Sequence, residues 1–585
     1  MMLEAQAVDD EALLVWLDAT DDDDRFWSST KRTAKPRPKQ ERWVVTHWAW
    51  VFAAIAFVGY VAIGLWMLYG ADYAIGDAIA RASSARAMVH SRDQHLMAVG
   101  FYWMPLPVFA QAPFMAVFSR LGQPGLGLVV PTAFATSLTI PIVARIGRDL
   151  GIGRRVLMPF VVLFALNPYT MFCAGNGMSE AWQVLAIAGC FAAYLRWTES
   201  GRVRDLGRLG LWLAVSQMTR YESVTMVVVF CLLVAWHSER GRRTATAMTV
   251  AAPAIFAVVA WTITSYVITR HGWWKAIQDG SETDKVRGNW LPDTRTLATV
   301  SEYSAKLSLR FAPGIILAVV LAGFGREVFG LVRLPAIRPK LRVVAIVAVG
   351  GLFPAQIAYL LLSFRSFGDP RYYMPLIVLF TIASLLALAG ARRLTSRAVA
   401  LLAFAVAGCA SSLIVLGDPN ISAITGEPAV IRALLGHRET DGLATTDHAV
   451  DLGDWRKFTS EMDRRLQPND VVVLDTAVAA AVQLFSSHPD QIATERDEDS
   501  ERQLQLPDPG YTWAVVVAGD YGPINPTIQA LLHGTPPKGR VWVKVTPHVE
   551  PKGYRGTPEL WHLVEVARQQ STVASTSSNP QENGQ

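Results

Sequence analysis

The sequence predicts a polytopic α-helical membrane protein (about eleven transmembrane helices) that carries a small extracytoplasmic α/β domain at its C-terminal end. Three observations predict it. Apolar stretches recur from residue 46 to residue 417. Charged residues make up only 18% of the 585, against about 25% in soluble proteins, and those that remain are gathered into short loops. Beyond residue 418 the long apolar stretches stop, and short strand-like runs alternate with amphipathic segments.

A membrane helix needs about 20 mostly apolar residues. Twelve candidates run near 46–70, 104–120, 125–148, 155–173, 178–197, 206–220, 221–236, 246–269, 311–332, 341–364, 371–391 and 396–417. Several connections are basic: Arg145–Arg155, Arg196–Arg208, His237–Arg243, Arg333–Arg342 and Arg392–Arg397. Short basic loops stay on the cytoplasmic side. A Lys/Arg cluster from Lys31 to Arg42 precedes the first stretch and places the N-terminus there too. If 104–120 and 125–148 both spanned, every later basic loop would lie outside; if only one spans, all lie inside. The weaker is 104–120, which is short and holds Pro105, Pro107 and Pro113, and proline breaks helices. It reads as a juxtamembrane or re-entrant segment. A multi-pass protein of the cell membrane follows, with its N-terminus cytoplasmic and its C-terminal domain extracytoplasmic.

The expected organisation is a disordered cytoplasmic tail at 1–45, a membrane domain at 46–417 with outer loops at 71–124 and 270–310, an extracytoplasmic α/β domain at 418–567, and a disordered tail at 568–585. In the α/β domain Asp454–Leu466 reads as an amphipathic helix; Val471–Leu474, Trp513–Ala518, Val541–Val545 and Leu560–Val566 read as strands. The four cysteines, Cys173, Cys190, Cys231 and Cys409, lie in apolar stretches without metal or disulfide spacing. A net charge of +5 makes no case for nucleic acid, while a lipid bilayer is a required partner.

Candidate chemistry gathers on the outer side. Asp72 sits where the first stretch ends, at the start of an expected helix. It is either a general base for an acceptor hydroxyl or a helix cap. Asp77, five residues on, is a secondary candidate. Glu180 enters an apolar stretch from outside, after Asn176-Gly177-Met178-Ser179. It either faces a polar cavity or is a helix-start carboxylate, with Ser179 as an N-cap. Arg220, in Thr219-Arg220-Tyr221-Glu222, either binds a phosphate or pairs with Glu222. Arg365, Arg371 and Tyr372 lie in a second outer basic segment, where a phosphate and a salt bridge to Asp369 are the alternatives. His271, Trp273, Trp274 and Lys275 either grip a sugar or lipid phosphate or anchor the interface.

The arrangement resembles the GT-C superfamily of membrane glycosyltransferases, in particular the protein O-mannosyltransferase and lipid A aminoarabinose transferase branch and related actinobacterial enzymes. The likeness covers most of 46–417. Asp72 takes the place of that family's first-loop acid, but the adjacent second acid is replaced by Tyr73. Met104-Pro105-Leu106-Pro107 is similar to a Pro-Pro-Leu juxtamembrane motif without its basic residue. Glu180 fits an acid opening a later span, Thr219-Arg220 echoes a Thr-Lys-Gly step, and Arg371, Tyr372 and Pro375 match a late Arg-Tyr motif. The resemblance implies transfer of a mannosyl- or arabinosyl-type sugar from a polyprenyl-phosphate donor to a glycan, lipid or protein acceptor. Asp72 and Glu180 would be catalytic, and Arg220, Arg371, Arg365 and Tyr372 would hold the lipid phosphate. Asp77, Glu222, His271 and Lys275 would be secondary. No cofactor is required, and a divalent metal is left open. Two other classes remain beside it: a flippase of lipid-linked intermediates, and a non-catalytic membrane protein that binds cell-wall glycan.

Overall fold

The computed structural model describes residues 39–101, 103–270, 297–328, 339–362, 370–418, 427–435, 449–498, 500–506, 510–517, 525–533, 539–545 and 558–565. Residues 1–38 of the expected N-terminal tail, the expected C-terminal tail, residues 271–296 of the outer loop, and Arg365, Asp369, His271 and Lys275 lie outside these residues; 39–45, expected as tail, are helix.

Within the described residues, each of the eleven expected spans overlaps helix. The first runs Lys39–Tyr69 and the second Pro124–Asp149. Among the described residues, six helices are long and apolar enough to cross a membrane, and eight if two bent pairs each count as one span. One pair, Arg154–Ala165 and Pro168–Gly175, is bent by 54°. Asn167 between them caps the second helix by accepting from Tyr169 N and Thr170 N, and Pro168 cannot continue the first. The other pair bends by 80° between Phe311 and Ile315, at Pro313-Gly314. The remaining expected spans are present as the helices Glu180–Ser200, Val203–Gln217 and Val224–His237. They fall short of the length or apolarity test, and Glu180–Ser200 is mostly buried within the protein.

The segment set aside on charge parity forms a helix of 13 residues, Leu106–Phe118, with proline in its first turn and Pro113 inside. It is tied laterally: Leu106 N donates to Met218 O (3.0 Å) and Gln111 Nε2 to Gly177 O (3.2 Å).

The helices have two distinct ends. Beside Tyr69, Pro124–Asp149 begins so close that a Cβ on Gly125 would meet the Tyr69 hydroxyl. Its 26 residues carry the chain about 39 Å to the other end. There Gly153 N donates to Ala391 O (2.8 Å) and Gly390 N to Leu150 O (2.9 Å), bringing two of the basic loops together.

The C-terminal part lies at the Tyr69 end. It holds a five-stranded sheet of β3 (Val472–Leu474), β4 (Ile492–Thr494), β5 (Trp513–Val517), β6 (Arg540–Val545) and β7 (Pro558–Glu565) in the order β4-β3-β5-β7-β6. The β3 strand pairs in parallel with β4 and β5, whereas β7 is antiparallel to β5 and β6. The helices Leu452–Arg465 and Thr476–Phe485 flank it. All four expected strands are present within a few residues. The β4 strand was not expected, because three residues give no alternation to read.

This domain is fastened to the first outer loop. A two-stranded ribbon pairs β1 (Tyr73–Ile75) with β2 (Ala449–Asp451), antiparallel, Tyr73 opposite Asp451. The helix Gly76–Val89 packs on Thr476–Phe485. There buried Arg86 donates to the carbonyls of Gln483 (2.8 Å), Leu484 (2.8 Å) and Ser486 (2.9 Å). Those are last-turn carbonyls, which have no partner within their own helix. One apolar core continues across the contact, from Ile79, Ala82 and Val99 to Leu452, Phe458 and Val482. Burying an apolar side chain contributes about 1.5–3 kcal/mol, so the shared core sets the domain rigidly on the loop.

Candidate active site

Four element ends converge beneath the C-terminal domain. Asp77 lies in the first turn of Gly76–Val89, and Arg81 is one turn further on. Glu180 opens Glu180–Ser200. Arg220 precedes the 3₁₀ turn Tyr221–Ser223, and Arg371 and Tyr372 lie in the 3₁₀ turn Pro370–Tyr373.

Their side chains form one network. Arg371 Nη1 donates to Asp77 Oδ2 at 2.8 Å, and Arg371 Nε stands 3.9 Å from Glu180 Oε1. Arg220 is bound through Nη1 to Glu180 Oε1 and through Nε to Glu222 Oε1. It also donates to Ser179 Oγ at 3.3 Å. Arg81 Nη2 lies 3.9 Å from Asp77 Oδ2. Aromatic faces cover the guanidinium groups: Arg220 and Arg371 sit 4.7 and 5.4 Å from the Tyr372 ring, and Arg81 4.6 Å from the Trp103 ring. Both stacks are of cation–π type.

Glu180 is fully buried, and Arg81, Glu222, Arg220 and Arg371 are at most 9% exposed. Charges removed from water this far are very costly unless paired and hydrogen-bonded. Three arginines face three carboxylates, so the pairing is balanced. Desolvation by burial lowers the Arg81 guanidinium, and the Asp77 and Glu180 carboxylates partly offset this. Among the described residues, one oxygen of Glu180, Oε2, and one nitrogen of Arg81, Nε, are buried without a hydrogen-bond partner.

The structure brings Glu180, Arg220, Glu222, Arg371, Tyr372 and Asp77 together. The pairing of Arg220 with Glu222 is present, and it coexists with the bond to Glu180. Ser179 occupies the N-cap position without a side-chain cap bond, because its hydroxyl takes a bond from Arg220.

Of the two readings offered for Asp72, the structure contradicts the helix cap. Asp72 does not cap the helix, whose N-cap residue is Ile75. Its carboxylate is bound to Arg456 of the C-terminal domain, and its side chain is 44% exposed. The backbone at Asp72 is left-handed (φ 50°), and β1 follows at once. That combination directs Asp72 to the C-terminal domain and puts Asp77, a strand and a turn later, into the arginine network. Arg81 was missed altogether. Its signal was available: a basic residue four places after Asp77 in a helix lies on the same face.

Among the described residues no three His, Cys, Asp or Glu side chains gather as a metal site; Asp77, Glu180 and Glu222 all take arginine partners.

No family model matches the chain, and no curated protein matches it. Solved structures do. The chain is similar to ArnT from Cupriavidus metallidurans bound to undecaprenyl phosphate, at 14% identity and a TM-score of 0.48 over 88% of this chain and 98% of that one. The apo state of the same protein gives 15% and 0.49 over the same shares. The Archaeoglobus fulgidus oligosaccharyltransferase tethered to an acceptor peptide gives 11% and 0.40, over 80% of this chain and 69% of that one. Likeness at this level assigns no residue a role. The fold itself defines the class: a polytopic helical membrane protein with a paired-arginine site under an α/β domain.

Proposed function

We propose that the protein is a glycosyltransferase that moves a sugar from a polyprenyl-phosphate donor to an acceptor hydroxyl at the extracytoplasmic face of the membrane. The observation that carries this reading is the buried network in which Arg220 and Arg371 hold Glu180 and Asp77 at one end of the helix bundle. The motif resemblance of Glu180, Arg371 and Tyr372 supports it. The extracytoplasmic assignment is supported by the basic loops at the opposite end of the helices.

The chemistry follows from the balance of charge. A donor phosphate entering the network competes for the guanidinium groups of Arg220 and Arg371, which form strong charge-assisted bonds to phosphate. As Arg371 turns to the phosphate, it gives up its bond to Asp77, which keeps Arg81 beside it. The acceptor oxygen attacks the anomeric carbon, and Asp77 takes the hydroxyl proton. The bond from the anomeric carbon to the phosphate oxygen breaks, and its electron pair leaves on the phosphate. Arg220 and Arg371 stabilise that charge. Glu180, held by both arginines, fixes their positions. Mannose and arabinose donors both suit the resemblance, and the C-terminal domain roofs the site.

Membranes holding the protein, incubated with radiolabelled polyprenyl-phosphate mannose or arabinose, should pass label to a glycan, lipid or protein fraction. Transfer from neither donor, or undiminished transfer by an Asp77→Asn variant, overturns the reading.

A further inference from the structure

The C-terminal domain grips the chain just ahead of Asp77 at a single side chain. Arg456, on Leu452–Arg465, donates from Nη1 to the carbonyl of Leu68 at 2.9 Å and is bound through Nη2 to Asp72 Oδ1. Its guanidinium also lies 4.8 Å from the centre of the Tyr69 ring. Leu68 and Tyr69 are the last two residues of the first long helix, so Arg456 occupies a helix C-terminus, where both the free carbonyls and the dipole favour a cation. The backbone adds a second tie, as Leu452 N donates to Asp72 O at 2.9 Å. Space is reserved for this arrangement. A Cβ on Gly453 would stand 2.8 Å from Asp72 Oδ2, and Asp72 itself holds a left-handed backbone.

From this clasp the chain has no slack before the site. The β1 strand runs straight from Asp72 into Gly76–Val89, whose N-cap, Ile75, has no side-chain cap bond. The entry of that helix, and with it the place of Asp77, is therefore set by the clasp and by the β1–β2 ribbon.

We propose that Arg456 is a positioning residue for the transfer reaction: it fixes the segment from Leu68 to Asp72 and so holds Asp77 in register with Arg371 and Glu180. The C-terminal domain thereby contributes to the chemical step without touching the donor. This rests on the reading of Asp77 as the base.

The test uses the full-length protein in membranes with the radiolabelled polyprenyl-phosphate donor that the wild type turns over. Arg456→Ala should lower kcat roughly 10²-fold, the scale on which small misplacements act, with the KM for the donor within about twofold because the phosphate ligands stay in place. Arg456→Lys keeps a charge for Asp72 and should recover part of kcat. Asp72→Asn should lower kcat likewise, and the double variant should be no worse than the worse single one, as for partners in one interaction. If Arg456→Ala fails to fold, Gly453→Ala carries the same test, since it displaces the Asp72 carboxylate with every charge retained. Full kcat in the variant tested overturns the proposal, and so does a loss that lies in KM. Asp77→Asn, run alongside, separates the two ideas: inactive Asp77→Asn beside active Arg456→Ala removes only the clasp, whereas active Asp77→Asn removes the functional reading.

Discussion

Arg371 donates to Asp77 across 2.8 Å, and the two residues stand 294 positions apart in the chain. The contact ties the first outer loop to the turn Pro370–Tyr373 and keeps a carboxylate occupied until something displaces it.

Replacing Asp77 by Asn keeps the shape and removes the proton acceptor. Loss of a general base costs roughly 10²–10⁴-fold in rate. The expected outcome is a fall of that size in kcat, with retained binding of polyprenyl phosphate measured by displacement of a labelled lipid.

Arg220→Ala leaves Glu180 and Glu222 in a buried site without their shared partner. Removing one member of a buried pair destabilises by about 3–5 kcal/mol. Thermal unfolding in detergent should show the loss, and Glu180→Gln added to Arg220→Ala should recover part of it by removing the stranded charge.

Arg86 joins the outer loop to the C-terminal domain through three carbonyls. Burial pushes its guanidinium down to about 10, so it stays charged at neutral pH. Bonds from a charged donor are worth about 1.5–3 kcal/mol each at most, and Arg86→Ala should loosen the contact by about 3 kcal/mol. Hydrogen exchange should rise in Thr476–Phe485 and Gly76–Val89 and remain unchanged in Pro124–Asp149.

Asp497 gives the same contact a dependence on pH. Burial, with Asp93 nearby, raises its carboxyl to about 6 from an ordinary 3.8, against the opposing effects of Thr494 and Arg92. The folded protein therefore binds this proton more tightly than the unfolded chain does. Its contribution to stability is greatest below about pH 4, declines as pH rises to about 6, and is flat above that. Asp497→Asn should raise the unfolding midpoint at pH 7 and leave it nearly unchanged at pH 4.

Hydropathy and loop charge were enough to read the helical membrane class and most of the sheet, because spans and strands are local patterns. The grouping of Glu180, Arg220 and Arg371 was also legible, since ionisable residues bordering apolar helices on one side have few places to go. Asp72 and Asp77 could not be sorted. Which of two acids five residues apart faces the bundle depends on the strand between them, and that strand exists only because residues 449–451 pair with it. Two three-residue strands so far apart leave no pattern in either segment. Arg81 was legible only through its i+4 spacing from Asp77, because its helix lies mostly buried between domain and bundle and lacks the two-faced pattern of a surface helix.

The clasp between Asp72 and Arg456 closes a loop of 384 residues, and this imposes an order on biogenesis. The ribosome makes roughly 5–20 residues per second, so the first outer loop waits about 20–75 s before its fastening is synthesised. Through that interval the helices already inserted have no fixed Asp77 beside their arginines. A chain cut short or stalled before residue 456 would sit in the membrane with its arginine turns in place and Asp77 unfastened. Under the proposed reaction, the last domain to emerge would license activity.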